Sequence, residues 1–404
     1  MSEVQRWLTF IGLGEDGLAG LSPAASARLA QASFIVGGAR HLALIGETSA
    51  QVLAWPSPIE GAYTHILARR GHPTCVLASG DPFFHGIGEV LARQVGADEI
   101  ECFPALSAFA LASARMGWAQ QDCVKISLHG RALERIIRFL QPGARILALS
   151  WDETTPQKLA ALLSARDMGD SKLTILSSMG GPDERRATGV AAKFMSENIS
   201  PLNVIALEVV AERGARIVPR APGLPDDWFV HDGQITKRDM RALSLSALAP
   251  RTGELLWDIG AGSGSMSIEW MLCDMANRAI AIEQNGARAA NIRANALALG
   301  TPDLKIIEGG APQALKGLEP PDAIFIGGGA TRKGVIDAAY AALKSGGRLV
   351  VNAVTLETQA ELTARFKALG GRLTLHQNSE ADAVGGFHGW RAAMPVVQWR
   401  VEKP

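Results

Sequence analysis

WDIGAGSGSMSIEW, residues 257–270, is the stretch on which the fold of the second half of the chain turns. An apolar run leads into three alternating glycines and then into a segment of helical character. This predicts a strand over 254–259, a tight turn at Gly260, Gly262 and Gly264, and a helix over 264–276. Glycines at such a turn accept positive φ and let the backbone approach a ligand closely, while the helix N-terminus offers free N–H groups. Asp258 stands two residues before the first glycine. A GxGxG motif alone carries little weight, but a second acid at the tip of the next strand adds to it. Glu283, closing a predicted strand over 278–283, is that acid, and a carboxylate there can accept both hydroxyls of a ribose. The spacing suits either a nicotinamide cofactor or S-adenosylmethionine (SAM). Three features favour SAM. The glycines read GxGxG rather than GxGxxG. Gly310-Ala311-Pro312 follows a third strand over 304–308, where an adenine can sit, and a fourth strand over 322–326 runs into Gly327-Gly328-Gly329.

Outward from this motif, helices are predicted over 237–248, 286–299 and 331–344 and a strand over 348–353. Strands over 372–377 and 394–401 are expected to close the chain as an antiparallel hairpin. The stretch 213–228, with Pro219, Pro222 and Pro225, suits neither a helix nor a central strand and reads as a linker. It divides a domain over 1–212 from one over 229–404. The first domain splits into lobes of about 1–118 and 119–212. Strands are expected over 7–11, 34–36 and 74–78 with a helix over 86–94, then strands over 124–128, 145–149, 172–176 and 202–207. Strands alternating with helices indicate an α/β fold with largely parallel sheets.

Three glycine or proline loops punctuate the first lobe. FIGLGEDGLAGLSPAA (10–25) places Gly12 and Gly14 after a strand, with Ser22 as a helix cap and Pro23 at the first helical position. ASGDPFFHGIGEVLARQ (78–94) carries Gly80-Asp81-Pro82, and ECFPALSAFALASARMGWAQQD (101–122) opens a helix with Pro104 and Ser107.

The 404 residues fit two or three domains at about 150 residues each. Hydrophobic residues make up 47% of the chain, enough for real cores. Lys plus Arg and Asp plus Glu are 40 each. Residues 226–404 hold 19 of each sign, leaving 21 of each before them, so neither half is a basic nucleic-acid platform or an acidic tail. Cys75, Cys102, Cys123 and Cys273 are far apart, which suggests no zinc site and no disulfide framework. The N-terminus does not read as a leader, and no apolar run approaches the ~18 residues of a membrane span. A soluble, cytoplasmic protein without a metal is expected.

The stretch 257–270 resembles the class I SAM-dependent methyltransferases, whose fold is Rossmann-like. Taken with 223–243, EGGAPQAL (308–315) and DAIFIGGGA (322–330), it is similar to the decarboxylating precorrin methyltransferases of cobalamin synthesis. That resemblance implies that Thr236, Gly260, Ala261, Gly262, Ser263, Gly264, Glu283 and Ala311 touch SAM. Gly310 departs from the family pattern, which usually has Asp. The three N-terminal loops, with PLNVIALE (201–208), resemble the tetrapyrrole methylases, a two-lobed fold (class III) that clamps folded SAM. By that resemblance Leu13, Gly80, Asp81, Phe84, Ser107 and Ala108 line a second SAM. Glu15 stands where Pro is common, Ala105 where Gly is common, and His85 where an aromatic is usual.

The order of the two units resembles the bifunctional, decarboxylating C5,15-methyltransferases of cobalamin synthesis. The resemblance implies methylation of precorrin-6B at carbons 5 and 15, decarboxylation of the carbon-12 acetate, and release of precorrin-8X. It assigns carbon 15 and the decarboxylation to the C-terminal unit and carbon 5 to the N-terminal unit. A homo-oligomer is expected, and the partners are the tetrapyrrole and the neighbouring pathway enzymes that take over the intermediate, not nucleic acid or membrane.

Such chemistry needs alignment of an electron-rich carbon with a methyl sulfonium more than it needs a strong base. Decarboxylation needs an electron sink, which a conjugated imine supplies, and desolvation of the acetate. His388, in a glycine-rich stretch, is a candidate for that step. Lys237, Arg241 and Arg391 are candidate clamps for substrate carboxylates. In the N-terminal half His85 and His129 are candidates to face the substrate, and Asp16 is either a substrate-orienting group or a helix cap. Two alternatives stay open: an RNA or protein methyltransferase, and a fusion whose N-terminal unit only holds the tetrapyrrole.

Overall fold

The computed structural model describes residues 6–195 and 197–404. The chain falls into two compact units, one built from Met1–Leu133 and Phe139–Arg216, the other from Glu134–Arg138 and Ile217–Pro404.

The first unit holds two five-stranded sheets. In the first sheet β1 (Leu8–Leu13), β2 (Phe34–Gly37), β3 (Gln51–Ala54), β4 (Thr74–Ser79) and β5 (Ile100–Phe103) lie in the order β3-β2-β4-β1-β5, all parallel. Alternate residues of β1 feed two cores. Leu8 and Phe10 pack with Phe34, Val36 and Val76, while Ile11 and Leu13 pack with Ile35, Leu77 and Ala25. Burial on both faces gives the near-continuous apolar runs typical of parallel strands. The helix Pro23–Gln31 starts at Ser22, whose Oγ accepts the Ala25 N–H at 3.2 Å.

The second sheet is the exception to the largely parallel pattern. It comprises β6 (Cys123–Ser127), β7 (Arg145–Leu149), β8 (Lys172–Ser177), β9 (Arg185–Val190) and β10 (Asn203–Glu208), in the order β6-β7-β10-β8-β9. Only the β6–β7 pair is parallel. The short connection from β8 to β9 is too brief for the crossover that a parallel pair demands.

The second unit is built on a seven-stranded sheet. Its strands are β11 (Leu255–Ile259), β12 (Arg278–Glu283), β13 (Lys305–Glu308), β14 (Ala323–Ile326), β15 (Arg348–Ala353), β16 (Arg372–His376) and, last in the chain, β19 (Val396–Glu402). The order is β13-β12-β11-β14-β15-β19-β16, parallel except at β19, which runs antiparallel to both neighbours. Leu255, Trp257 and Ile259 face the main core, and Trp399 is fully buried with its Nε1–H donated to the Gly370 carbonyl at 2.9 Å.

The last two strands of the sheet do pair antiparallel, but they are not joined as a simple hairpin. Between them β17 (Ser379–Val384) and β18 (Phe387–Ala392) form their own two-stranded ribbon, turning at Gly385-Gly386. Among the described residues no helix is long and apolar enough to cross a membrane.

Candidate active sites

The second unit gathers its candidate cofactor residues where the parallel strands end. Gly260, Gly262 and Gly264 all take positive φ, at 71°, 59° and 76°. A Cβ on Gly260 would stand 2.8 Å from the Gly328 carbonyl oxygen, and one on Gly262 would stand 2.9 Å from that of Gln234. The glycine turn is therefore roofed by the loop after β14 on one side and by the segment leading to Thr236 on the other. Glu283, 4% exposed, accepts the Gly262 N–H through Oε2 and the Asn285 N–H through Oε1, both at 2.9 Å. Each oxygen keeps a lone pair, enough for a diol. Ser263 is 2% exposed, and its Oγ has no partner among the described residues. A buried orphan hydroxyl inside a glycine turn fits a polar ligand. The residues present thus suit SAM: a carboxylate for ribose, close backbone, and an unsatisfied hydroxyl.

Asp258 does not join that set. It is buried and accepts both the N–H (3.1 Å) and the O–H (2.8 Å) of Ser267, which ties the strand to the following helix Ser265–Cys273. Burial pushes its carboxyl up to about 6, against the pull of the Ser267 hydrogen bonds. Asn295, which sequence reading missed, is the other anchor. From the helix Gly286–Leu299 its side chain accepts the Val230 N–H and donates to the carbonyls of Val230 and Ser263. The only sequence signal was an amide on the inner face of a helix.

The expectation that Arg241 clamps substrate does not hold. Its side chain is fully buried, donating to Glu269, to Asp226 at 3.1 Å, and to the carbonyls of Thr236 and Leu224. It fastens the chain before Thr236 to the helix that follows the glycine turn. Lys237, the adjacent residue, stays accessible at 67% exposure, 3.8 Å from Asp226. His388 lies in strand β18, not in a glycine loop, and Arg391 on the same strand pairs with Asp382 of β17 at 3.0 Å. No hydrogen bond or ring contact among the described residues joins either to the glycine turn. Ala311 precedes Pro312 next to Gly310 and packs on the main core.

The first unit builds a second cradle from three loops. A Cβ on Gly12 would collide with the Gly80 carbonyl oxygen and stand 2.5 Å from the Ala105 nitrogen. Gly80, at φ 58°, donates its N–H to the Leu13 carbonyl and accepts that of Ala105 at 3.1 Å. Ala105 acts here through its N–H, which alanine supplies as well as glycine. Leu13 contributes only backbone, since its side chain is in the core. Asp81 accepts the Phe83 N–H at 2.9 Å, and Ser107 spends its Oγ on capping the helix Ala108–Met116 through the Ala110 N–H.

Phe84 stacks on His85 at 5.0 Å between ring centroids and tilts against Phe109 at 5.3 Å. His85 holds a left-handed backbone, φ 58°, which places its ring beside this aromatic pair. Burial, with the Arg131 charge nearby, lowers its pKa. His129 sits exposed in the loop after β6, which also carries Arg131. Asp16 occupies the N-cap position of a short turn at Gly17–Gly20 but makes no side-chain capping bond.

Glu15 has a partner the sequence did not disclose: Arg40 donates to its carboxylate, and also to Ser79 Oγ at 2.7 Å and His41 Nε2 at 2.9 Å. Burial, and then the Arg40 charge, pull the His41 pKa down to about 4, so the ring is neutral at ordinary pH.

A sheet ending in a glycine turn with an acidic second strand tip, in one chain with a two-lobed unit that has its own glycine cradle, defines a methyltransferase with SAM as donor. The precorrin methyltransferase domain family matches residues 227–403, and the tetrapyrrole (corrin/porphyrin) methylase family matches 7–194. A protein from Sinorhizobium sp, named precorrin-6Y C(5,15)-methyltransferase [decarboxylating], is 52% identical over 98% of this chain and 96% of its own length. A Saccharolobus solfataricus protein named probable cobalt-precorrin-6B C(15)-methyltransferase (decarboxylating) is 36% identical over 37% of this chain and 78% of its own. A Salmonella typhimurium cobalt-precorrin-7 C(5)-methyltransferase is 30% identical over 44% of this chain and 88% of its own. The chain belongs to the decarboxylating precorrin-6Y C(5,15)-methyltransferase family of cobalamin biosynthesis.

Proposed function

We propose that the chain transfers two methyl groups to precorrin-6B, at carbons 5 and 15, and removes the carboxyl of the carbon-12 acetate, giving precorrin-8X. The observation that carries this reading is the presence of two separate glycine cradles, one in each unit, each closed so tightly that a Cβ would collide with backbone. Two SAM sites follow, and SAM supplies an electrophilic methyl on a sulfonium. The C-terminal cradle holds the ribose with Glu283 and offers Lys237 to a substrate carboxylate. The N-terminal cradle sets Phe84, backed by the buried Phe109, with His85 and His129 on the substrate side. Carbon 15 and the decarboxylation are assigned to the C-terminal unit and carbon 5 to the N-terminal unit; support for dividing the two transfers comes from relatives named for a single methylation each, one at carbon 15 with decarboxylation and one at carbon 5, that each match less than half of this chain. Decarboxylation breaks the bond to the carboxyl, sends its electron pair into the conjugated ring, and ends with a proton on the remaining methylene. We place the enzyme in the cytoplasm as a homo-oligomer.

The test is mass spectrometry of the tetrapyrrole after incubation of the full chain with SAM and precorrin-6B. Gain of two methyls with loss of carbon dioxide is the expected result. One methyl with that loss would reduce the N-terminal unit to a binding module. An unchanged pigment, with SAM bound, would overturn the corrin assignment in favour of an RNA or protein target.

A further inference from the structure

Gly310 leaves a gap at the end of β13 that two side chains from other segments border. A Cβ on Gly310 would stand 3.3 Å from Nη1 of Arg332 and 3.7 Å from Oε1 of Gln284. Arg332 belongs to the loop after β14. Its N–H bonds the Gly329 carbonyl at 3.0 Å, and its Cδ would lie 3.9 Å from a Cβ on Gly329, so the side chain folds back over its own loop. The residue is exposed and takes part in no ion pair among the described residues. Gln284 directly follows Glu283, the carboxylate assigned to ribose. A hydrogen-bond donor and an acceptor therefore converge on one point, one residue beyond the ribose position.

Adenine presents an amino donor, N6–H, beside ring-nitrogen acceptors. We infer that Gln284 and Arg332 read the adenine of the C-terminal cofactor, Oε1 accepting from N6–H and the guanidinium donating to the adjacent ring nitrogen. This rests on the SAM reading of that cradle. Gly310 matters because a carboxylate there would capture Arg332 and withdraw the donor. Hypoxanthine reverses the pattern, carrying an oxygen acceptor at position 6 and a donor at N1, so the pair should reject it.

The experiment titrates S-adenosylhomocysteine and S-inosylhomocysteine into the full-length protein by calorimetry, for the wild type, Arg332→Ala, Gln284→Leu and Gly310→Asp. Arg332→Ala should weaken S-adenosylhomocysteine about tenfold at one of the two sites, the loss of one charge-assisted hydrogen bond. It should also shrink that site's preference for adenine over hypoxanthine by a similar factor and leave the other site unmoved. Gly310→Asp should reproduce the effect with Arg332 intact, and Gln284→Leu should shrink the same preference. Two sites that bind in every variant with the preference unchanged would overturn the inference, as would a rise confined to the KM for tetrapyrrole in Arg332→Ala. Failure of the wild type to bind S-adenosylhomocysteine at a second site would instead sink the SAM reading of the cradle.

Discussion

Asp258 shows how a single carboxyl can serve the site without touching ligand. Its folded pKa of about 6 stands above the ordinary 3.8, because burial penalises the anion more than the Ser267 bonds stabilise it. The folded chain therefore binds this proton more tightly than the unfolded chain. The stability so contributed is complete below about pH 4 and is lost as pH rises through about 6. Asp258→Asn keeps an acceptor for Ser267 but cannot ionise. Between pH 4 and pH 7 the variant should gain on the wild type by about 2 kcal/mol, because each pH unit separating the folded from the unfolded pKa is worth about 1.36 kcal/mol and pH 4 already lies just above the unfolded value. Denaturant titrations of both proteins at the two pH values measure this, and a difference that stays constant with pH would remove Asp258 from the account.

At the scale of elements, the segment from Gly223 to Thr236 is held down by Arg241, Glu269 and Asn295. Glu269 accepts the N–H groups of Gly223 (2.6 Å) and Leu224 (3.0 Å) as well as Arg241, so one carboxylate anchors both the loop and the helix Arg238–Leu248. Removing one partner of a buried pair leaves the other charge uncompensated, at a cost of about 3–5 kcal/mol. Arg241→Ala should thus lower the melting temperature of the C-terminal unit by about 10 °C, at roughly 2–4 °C per kcal/mol for a unit of this size. Where the variant is folded, its KM for tetrapyrrole should be close to wild type. A KM rise of tenfold or more at unchanged melting temperature would restore Arg241 as a substrate clamp.

This element also marks where sequence reading stops. The strands β7 and β15 coincide with their expected ranges because each is an apolar run bounded by Gly or polar residues, and the glycine turns were visible because no other residue fits them. Strands β3 and β9 escaped because they are sheet edges. β9 reads RRATGV with four of its six residues exposed, so no apolar run announces it. The ribbon β17–β18 escaped for the same reason, with Phe387 and Trp390 about 80% exposed, so that Gly385-Gly386 looked like a loop around His388 rather than a turn before it. Arg241 was misread because a basic residue near a cofactor loop looks the same in sequence whether it faces solvent or Glu269. The Arg40–Glu15 contact joins the first turn of the helix Ala39–Ile45 to the loop after β1, and no local pattern records it.

The whole molecule carries two cradles that share no residue, and this has a kinetic consequence. A Cβ on Gly80 would stand 2.9 Å from the Leu106 carbonyl oxygen and 3.0 Å from Ser107 Cα, at a backbone φ of 58° that strains any side chain. Gly80→Ala should therefore spread the N-terminal loops while leaving the C-terminal turn untouched. Glu283→Gln does the reverse. It replaces a charged acceptor by a neutral one and should weaken SAM there by about 10–100-fold, the worth of one or two charge-assisted hydrogen bonds. With precorrin-6B and SAM, the full chain carrying Gly80→Ala should yield a pigment with one added methyl and no carbon-12 carboxyl. The chain carrying Glu283→Gln, at SAM levels too low to fill the weakened site, should yield pigment that keeps the carboxyl and carries at most one methyl. Mass spectra of the two products separate these outcomes. If either substitution abolished both transfers while the protein still melted cooperatively near the wild-type temperature, the two sites would act as one, and the assignment of one transfer to each unit would fall.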